Sequence, residues 1–442
     1  MVRGFMLLNG CPSKSSAVHP EFEMKNAASG NDFVGGRMRV AVVGGGPAGL
    51  RAAEVAAAGG AVVSLWDRKP SVGRKFLVAG RGGLNLTKDE PVDVFAGHYL
   101  STGETDHFWH ALVREFGPEE TRSWALGLGV ETFVASTRRV YPKEMRAAPL
   151  LRRWVERLRA SGVAFHMSHE LRGISRDGEL GLEFSRGDST TVRAGVDALI
   201  LAMGGASWPD TGSDGRWVQM LRGLGVDVAE LQPANCGWEW DLDSEFAEQW
   251  QGTPIKSVHV CAGGEQAKGE LLVTKYGLEG EAIYQLGARL RAMSEPCITV
   301  DFKPQSTVEQ LLGKMGPIQR NFLSEAEARW RLPGVVAALL RKEIGTEDLS
   351  SARELASIVK AFPLRLKSPR NISEAISSAG GVKFCGLNSD LMLASSPGIF
   401  VAGEMIDWEA PTGGYLLQGC LATGTRAARG ALSWLKSREG GL

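Results

Sequence analysis

Met38-Arg-Val-Ala-Val-Val-Gly-Gly-Gly-Pro-Ala-Gly49 is the stretch that decides the fold. Residues 38–43 are an apolar run of the kind a strand shows when both its faces are buried, and Leu50 to Ala58 continue as an alanine-rich helix. Between them lies GxGxxG. Gly44 permits the tight turn, Gly46 lets backbone approach a pyrophosphate, and Gly49 lets helix and strand pack closely, with Pro47 and Ala48 inside the same turn. The phosphates would sit on the helix N-terminus, where N–H groups lack intrahelical partners. Ala61 to Trp66 then reads as a second strand ending at Asp67. An acid about 20 residues past the turn is placed to bind ribose hydroxyls, so the start of the chain reads as an α/β dinucleotide-binding unit.

The loop that follows is dense in glycine and cation. Arg68 to Lys75 leads to Gly80-Arg-Gly-Gly-Leu-Asn85-Leu-Thr87. Arg74 and Lys75 suit pyrophosphate oxygens, and the Gly82-Gly83 backbone beside Asn85 can approach a flat ring without a Cβ clash. The alternative is a solvated turn with surface cations. Helical periodicity returns at Asp106 to Glu115, Pro118 to Leu126 and Ala148 to Ala160. Val163 to His169 and Leu171 to Ser175 read as strands entering a hairpin near Asp177-Gly178, with Leu171 either beside an adenine or simply core. Ala198 to Leu201 is a further buried strand; it runs into Ala202-Met203-Gly204-Gly205, glycines that can cross the phosphate end of a cofactor.

At the far end, Gly398-Ile-Phe-Val-Ala-Gly-Glu-Met-Ile-Asp-Trp-Glu-Ala-Pro-Thr-Gly-Gly-Tyr-Leu-Leu-Gln418 reads as a strand ending in Gly403-Glu404, then Asp407, then Gly413-Gly414-Tyr415 opening a helix. That order suits a flavin. Carboxylates at the strand end accept hydrogen bonds from ribityl hydroxyls, and N–H groups at a helix start face the pyrimidine edge, where reduced flavin is anionic. Between the two glycine-rich ends the pattern changes. Residues 235–303 carry short alternating runs and residues 306–366 helical ones. The expected fold is therefore α/β, an FAD-binding Rossmann-like domain in two parts, 38–206 and 373–442, split by an inserted β-rich and helical cap at 207–372. A substrate would lie in the crevice between cap and sheet.

With 50 basic and 50 acidic residues in 442, the chain offers no electrostatic case for nucleic acid. Its six cysteines form no CxxC pair, and no His cluster has metal-ligand spacing. That points to a reducing compartment, the cytoplasm, and to the flavin alone as electron relay. No apolar run reaches the roughly 18 to 20 residues that span a bilayer. Residues 1–37 are polar and irregular, expected to be a disordered extension or a start site placed too early.

With both ends placed, the chain resembles the two-dinucleotide-binding-domain flavoproteins, specifically the bacterial NAD(FAD)-utilising dehydrogenases, a family that includes a bile-acid-pathway flavoprotein and aminoacetone oxidase. The likeness rests on Gly44 to Gly49, Gly73-Arg74-Lys75 with Gly80 to Thr87, Ala202 to Gly205, Ser207 to Gly215, Gly269 to Gly277, Gly380-Gly-Val382 and Gly398 to Gln418, and it spans Met38 to Leu435. It implies bound FAD and a β-rich plus helical cap. Two segments depart from the family pattern. Gly83-Leu84-Asn85 stands where relatives have Arg-Cys-Asn, and Thr274-Lys275 with Gly277-Leu-Glu-Gly-Glu281 stands where they have Thr-His and Gly-Leu-Ser-Gly-Pro.

Flavin chemistry needs orientation and a field near N1 more than it needs side chains. Lys275 can stabilise an anionic ring or can be a surface cation paired with Glu279; Tyr276 can move a proton or pack in the core. Trp208 and Trp408 follow cofactor motifs and can border the ring. The expected function is an FAD-dependent oxidoreductase, an oxidase or a reductase fed transiently by NAD(P)H, since no second GxGxxG is present. The alternatives are a flavin-dependent RNA-modifying enzyme and a non-catalytic flavin-binding protein. Oligomeric state is not legible.

Overall fold

The computed structural model describes residues 38–80, 82–103, 105–177, 179–187, 190–318, 321–344 and 351–439. The expectation for residues 1–37 and the tip of the hairpin at Gly178 lie outside them.

Five parallel strands form the central sheet, in the order Ile399–Val401, Ala198–Leu201, Arg39–Val43, Val62–Asp67, Ala164–Met167. The first, central strand pairs on both sides, Val42 with Ile200 and with Leu65, which is why its residues are apolar on both faces. Helix Pro47–Ala58 packs on the sheet through Leu50, Ala52, Ala53 and Ala56, and small residues here admit the long closing helix Tyr415–Glu439. Gly424 shows how closely: a Cβ on it would lie 2.3 Å from the Ala48 carbonyl oxygen. Strand Ala164–Met167 runs into a three-stranded antiparallel meander, His169–Asp177, Glu179–Arg186 and Thr190–Val196. The Trp66 ring is sandwiched there between His166 and Phe184, with centroids 3.8 and 4.1 Å away, so His166 serves packing.

A second core lies in the middle of the chain. Trp238–Trp240, Gly277–Glu279, Glu265–Val273, Pro254–Ala262, Cys297–Asp301 and Phe362–Pro369 close, in that spatial order, into a barrel. Helices Val308–Met315, Phe322–Arg329, Gly334–Ile344 and Ala352–Lys360 share its core. Residues 207–234, expected in the cap, pack differently: Trp217, Leu221, Val226 and Val228 belong to the sheet core. Strand Val228–Ala234 pairs antiparallel with Ser377–Val382, so outgoing and returning chain are stitched together beneath the barrel. The helical pattern expected over residues 306–366 is corrected at its end as well. Phe362 begins a strand rather than ending a helix, and its alternating Phe362, Leu364 and Leu366 fill the barrel.

One ion pair ties the sheet at its lower edge. Asp197, just before strand Ala198–Leu201, accepts hydrogen bonds from the Arg39 backbone N–H (2.7 Å), Nε (3.2 Å) and Nη2 (2.7 Å). Burial opposes the charge, yet these bonds outweigh it and hold the Asp197 carboxyl below its ordinary value. A depressed folded pKa means stability that is present above the unfolded value, near 4, and lost as pH falls through the folded one. Asp197→Asn should therefore cost about 1–2 kcal/mol at pH 7, the lower part of the range for charged hydrogen bonds because both side chains are partly solvated. Urea midpoints of the two proteins should stay equally separated from pH 7 to 5 and converge below about pH 4; a gap independent of pH would contradict this.

Candidate functional site

The turn at residues 44–49 is fixed by contacts that exclude side chains. Gly44 has φ +107°, and a Cβ on it would lie 2.1 Å from the Ala202 carbonyl oxygen; one on Gly49 would lie 1.8 Å from the Gly44 oxygen. Above Gly46, by contrast, nothing stands within 4 Å of a built Cβ. The turn is therefore closed below and open where phosphates would lie. Gly46 caps helix Pro47–Ala58 without a side-chain hydrogen bond, leaving the first-turn N–H groups to a ligand.

A cleft of about 270 Å³ opens over this turn. Of the residues singled out in the sequence, Gly44, Gly46, Pro47, Ala48, Asp67, Arg68, Arg74, Lys75, Leu171, Ala202, Met203, Gly204, Gly403 and Glu404 line it. Gly403 closes the circuit between the two ends of the chain, since a Cβ on it would lie 2.8 Å from that of Ala48. Asp67 accepts from the N–H of Gly45 and of Lys69, each at 2.7 Å. Burial lifts its carboxyl above the ordinary aspartate value, and these two N–H donors pull it partly back. Arg68 pairs with Asp214 at 2.6 Å and Arg74 reaches Ser71 at 3.3 Å. Lys75 binds Glu404 at 2.8 Å and Ser207 at 2.7 Å, so an expected phosphate ligand and an expected ribityl ligand hold each other.

The remaining candidates lie outside this cleft. Gly82, Gly83 and Asn85 form the adjoining loop, with Gly83 (φ +119°) facing Met145 and Tyr141. Gly413 and Gly414 have φ +121° and +108°, and a Cβ on Gly414 would strike the Thr87 backbone at 2.6 Å. Asp407 is buried and accepts a hydrogen bond from Thr102. Tyr415 is buried too, its hydroxyl donating to Glu90 at 2.8 Å and accepting from Lys88 at 3.1 Å. Trp408 packs against Tyr99 and Trp109 inside the core, so it does not border the cleft.

Several buried polar atoms near these segments have no partner among the described residues: Arg68 Nε and Ser213 Oγ on the cleft residues, and Asn85 Oδ1 and Thr87 Oγ1 in the neighbouring loop. Buried polar groups are normally satisfied, so unpaired ones beside an uncapped helix start fit a polar, diphosphate-bearing ligand. A dinucleotide of FAD type meets these requirements through Asp67, Gly46, the start of helix Pro47–Ala58 and the strand end at Gly403-Glu404.

A second polar group lies where the barrel faces residues 409–414. Tyr276 donates to Glu279, Tyr284 reaches the other Glu279 oxygen at 3.5 Å, and the Arg370 guanidinium stands 4.3 Å from the centre of the Tyr276 ring. Burial, with the Glu279 charge beside them, lifts both phenols well above the ordinary tyrosine value, so both keep their protons. Lys275 is exposed and makes no pair with Glu279; the carboxylate's partners are the phenols. Arg139 bridges to Glu281 at 2.7 Å, and Arg291 to Glu409. Sequence reasoning named Tyr276 but not Tyr284, Arg139, Arg291 or Arg370. Their only signal is the unusual Gly277-Leu-Glu-Gly-Glu281, and spacing does not reveal the barrel strands that converge on it.

Fold and cleft together define the class: the architecture is that of the FAD-binding oxidoreductases, a parallel dinucleotide-binding sheet carrying antiparallel additions. The chain belongs to the HI0933-like protein Rossmann domain family, whose model matches residues 38–430. It is 26% identical over 415 residues to a 3-dehydro-bile acid delta(4,6)-reductase of Clostridium scindens, covering 89% of this chain and 98% of that one. It is 23% identical over 397 residues to a ribosomal RNA dihydrouridine synthase of Escherichia coli, covering 86% and 95%. Among solved structures, the 3-ketosteroid-delta4-(5alpha)-dehydrogenase of Rhodococcus jostii RHA1 superimposes with a TM-score of 0.50 at 17% identity, covering 89% of this chain and 97% of that one.

Two glycine substitutions separate folding from ligand retention. Gly46→Val adds bulk only to open space and should leave the thermal midpoint within about 4 °C, a change of roughly 1 kcal/mol or less, while abolishing FAD retention after gel filtration. Gly44→Ala forces a Cβ against the Ala202 carbonyl at positive φ and should lower the midpoint or yield insoluble protein. Equal effects of the two would contradict this division of roles.

Proposed function

We propose that this chain is an FAD-dependent oxidoreductase that moves a hydride between flavin and a small molecule lying between the sheet and the barrel. One observation carries the reading: Gly44–Gly49 and Gly403-Glu404, from opposite ends of the chain, meet at the carboxyl ends of parallel strands that only Ala198–Leu201 separates in the sheet. Ligands of open α/β sheets bind outside that edge. When bound there, FAD supplies a ring that accepts or donates a hydride at N5.

The chain's own groups bind, orient and hold protons. Helix Pro47–Ala58 receives the diphosphate on its N-terminal N–H groups, and Asp67 receives the ribose. Lys75 keeps Glu404 fixed at the strand end, where its carboxylate would accept hydrogen bonds from the ribityl hydroxyls of bound FAD. Gly413 and Gly414 bring the start of helix Tyr415–Glu439 to the pyrimidine edge, whose negative charge in the reduced state the helix N-terminus favours. Tyr276 is the proton source we assign beside the substrate, and exposed Lys275 contributes positive field.

The names of both curated relatives describe saturation of a carbon–carbon double bond, in a bile acid and in uridine. We extend that chemistry to this chain: its substrate is an activated double bond, with NAD(P)H as the transient donor of electrons. The RNA substrate of the second relative fits less well. Arg139, Arg291 and Arg370 at the barrel end each carry a carboxylate partner, and the whole chain has equal numbers of acidic and basic residues. Phosphate backbones are bound by cations free to release counterions. No helix among the described residues is long and apolar enough to cross a membrane, and the five described cysteines are free thiols, in keeping with the cytoplasm as part of this proposal.

Anaerobic titration tests the reading. The yellow protein should be bleached by NADH or NADPH and reoxidised by 2-cyclohexenone faster than by a uridine-containing oligoribonucleotide. Tyr276→Phe should slow that reoxidation roughly 100-fold, with FAD content unchanged. A protein that takes up no FAD on reconstitution, or whose FAD no nicotinamide reduces, would overturn the function or its electron donor respectively.

A further inference from the structure

A second hollow lies behind the wall of the cofactor cleft. It measures about 380 Å³ and is bounded by helix Ala147–Ala160, the edge strand Ala164–Met167 and the segment from Pro70 to Leu77. Its floor is apolar: Leu77, Val155, Phe165 and Met167 line it and are each only partly buried by the protein itself. Helix Ala147–Ala160 supplies the rim, and its four arginines divide by position. Arg153 pairs with Glu144 at 3.4 Å and Arg157 with Glu54, and neither lines the hollow. Arg152 and Arg159 do line it, both exposed and both without a carboxylate partner among the described residues. Arg159 stands 5.6 Å from the centre of the Phe165 ring, so one guanidinium already lies along the apolar floor. Glu156, on the same helical face, pairs with neither arginine, and the rim keeps a net positive charge. Uncovered apolar surface beside unpaired guanidinium groups matches the two ends of an anionic amphiphile.

The hollow and the cleft share a partition. Ser71 lines both spaces, while Val72 and Leu151 line the hollow and press through to the phosphate turn. A Cβ on Gly45 would lie 2.5 Å from Val72 Cγ1, and one on Gly73 would lie 2.6 Å from Leu151 Cδ2. Between these contacts the Gly73 N–H donates to the Gly45 carbonyl at 2.8 Å. The turn that would carry the diphosphate therefore rests on side chains that also wall the hollow. A ligand that holds Val72 and Leu151 in place orders the turn before FAD arrives, which lowers the cost of binding it.

We propose that this hollow is an effector site for a single-chain anionic amphiphile, its tail over Val155, Phe165 and Met167 and its head on the rim of Arg152 and Arg159, and that its occupation tightens FAD binding. The coupling rests on the reading that FAD lies above Gly46; the selectivity of the hollow does not.

Isothermal titration of the FAD-loaded full chain with octanoate, 1-octanol and octyltrimethylammonium tests the site, and titration of the deflavinated full chain with FAD, with and without octanoate, tests the coupling. Octanoate should bind saturably and roughly fivefold more tightly than either other probe, the scale of a solvent-exposed ion pair. Arg152→Gln combined with Arg159→Gln should reduce it to the affinity of octanol, whereas Arg152→Lys combined with Arg159→Lys, which keeps the charges, should retain most of the preference. Saturating octanoate should lower the Kd for FAD roughly fivefold. Equal affinity for the three probes, no saturable binding, a preference that survives the double Gln variant, or an FAD affinity that octanoate leaves unchanged or weakens would overturn the proposal. The same samples separate this from failure of the functional reading. Protein that takes up no FAD fails that reading, and the effector role with it, even where octanoate is still preferred; protein that takes up FAD and shows no preference among the probes fails the amphiphile site alone.

Discussion

The structure depends on a place where backbone meets backbone with no side chain between. Gly44 lies against the Ala202 carbonyl and Gly49 against the Gly44 carbonyl, both closer than any Cβ allows. This contact lets the first strand turn at once into its helix while the neighbouring strand passes beneath. It also leaves the face above Gly46 empty. A tightly packed underside and an open upper side are two consequences of one glycine pattern, and the proposed phosphate site rests on the second.

The middle of the chain answers a different demand. A six-stranded barrel has its own apolar core, yet it is joined to the sheet by the paired strands Val228–Ala234 and Ser377–Val382 and by ion pairs across Arg139–Glu281 and Arg291–Glu409. Those pairs consume most of the charge at the junction. What they leave, the Glu279 carboxylate under two protonated phenols, is where this chain departs from the pattern of the family it resembles.

Much of this was legible in the sequence because the physics is local. Apolar runs ending in glycine gave the sheet strands at Arg39–Val43, Ala198–Leu201 and Ile399–Val401, since strands buried on both faces have no other way to look. The helices Asp106–Glu115, Pro118–Gly127 and Ala147–Ala160 followed from periodicity to within a few residues at their ends, whereas the short ones at Trp217–Gly223, Ser244–Trp250, Glu281–Gln285 and Gly287–Arg291 did not. Non-local features were hidden. Gly277–Glu279 is too short to show a period, and Phe362–Pro369 follows a helix without a break, so the barrel's closure was missed. That Lys75 and Glu404, both expected as cofactor ligands, also pair with each other is invisible in a linear chain, because nothing there shows that residues so far apart touch. Asp407 looked like a strand-end carboxylate facing a cofactor, but the bend after Glu404 turns it into the core, where Thr102 receives it.

The central claim is that one dinucleotide spans the two glycine-rich ends of the chain. A crystal structure of the FAD complex tests it most directly. The account predicts adenosine beside Asp67 and Leu171, the diphosphate above Gly46 at the start of helix Pro47–Ala58, and the ring reaching toward Gly413-Gly414. FAD density in any other place, with the space above Gly46 left to solvent, would contradict it.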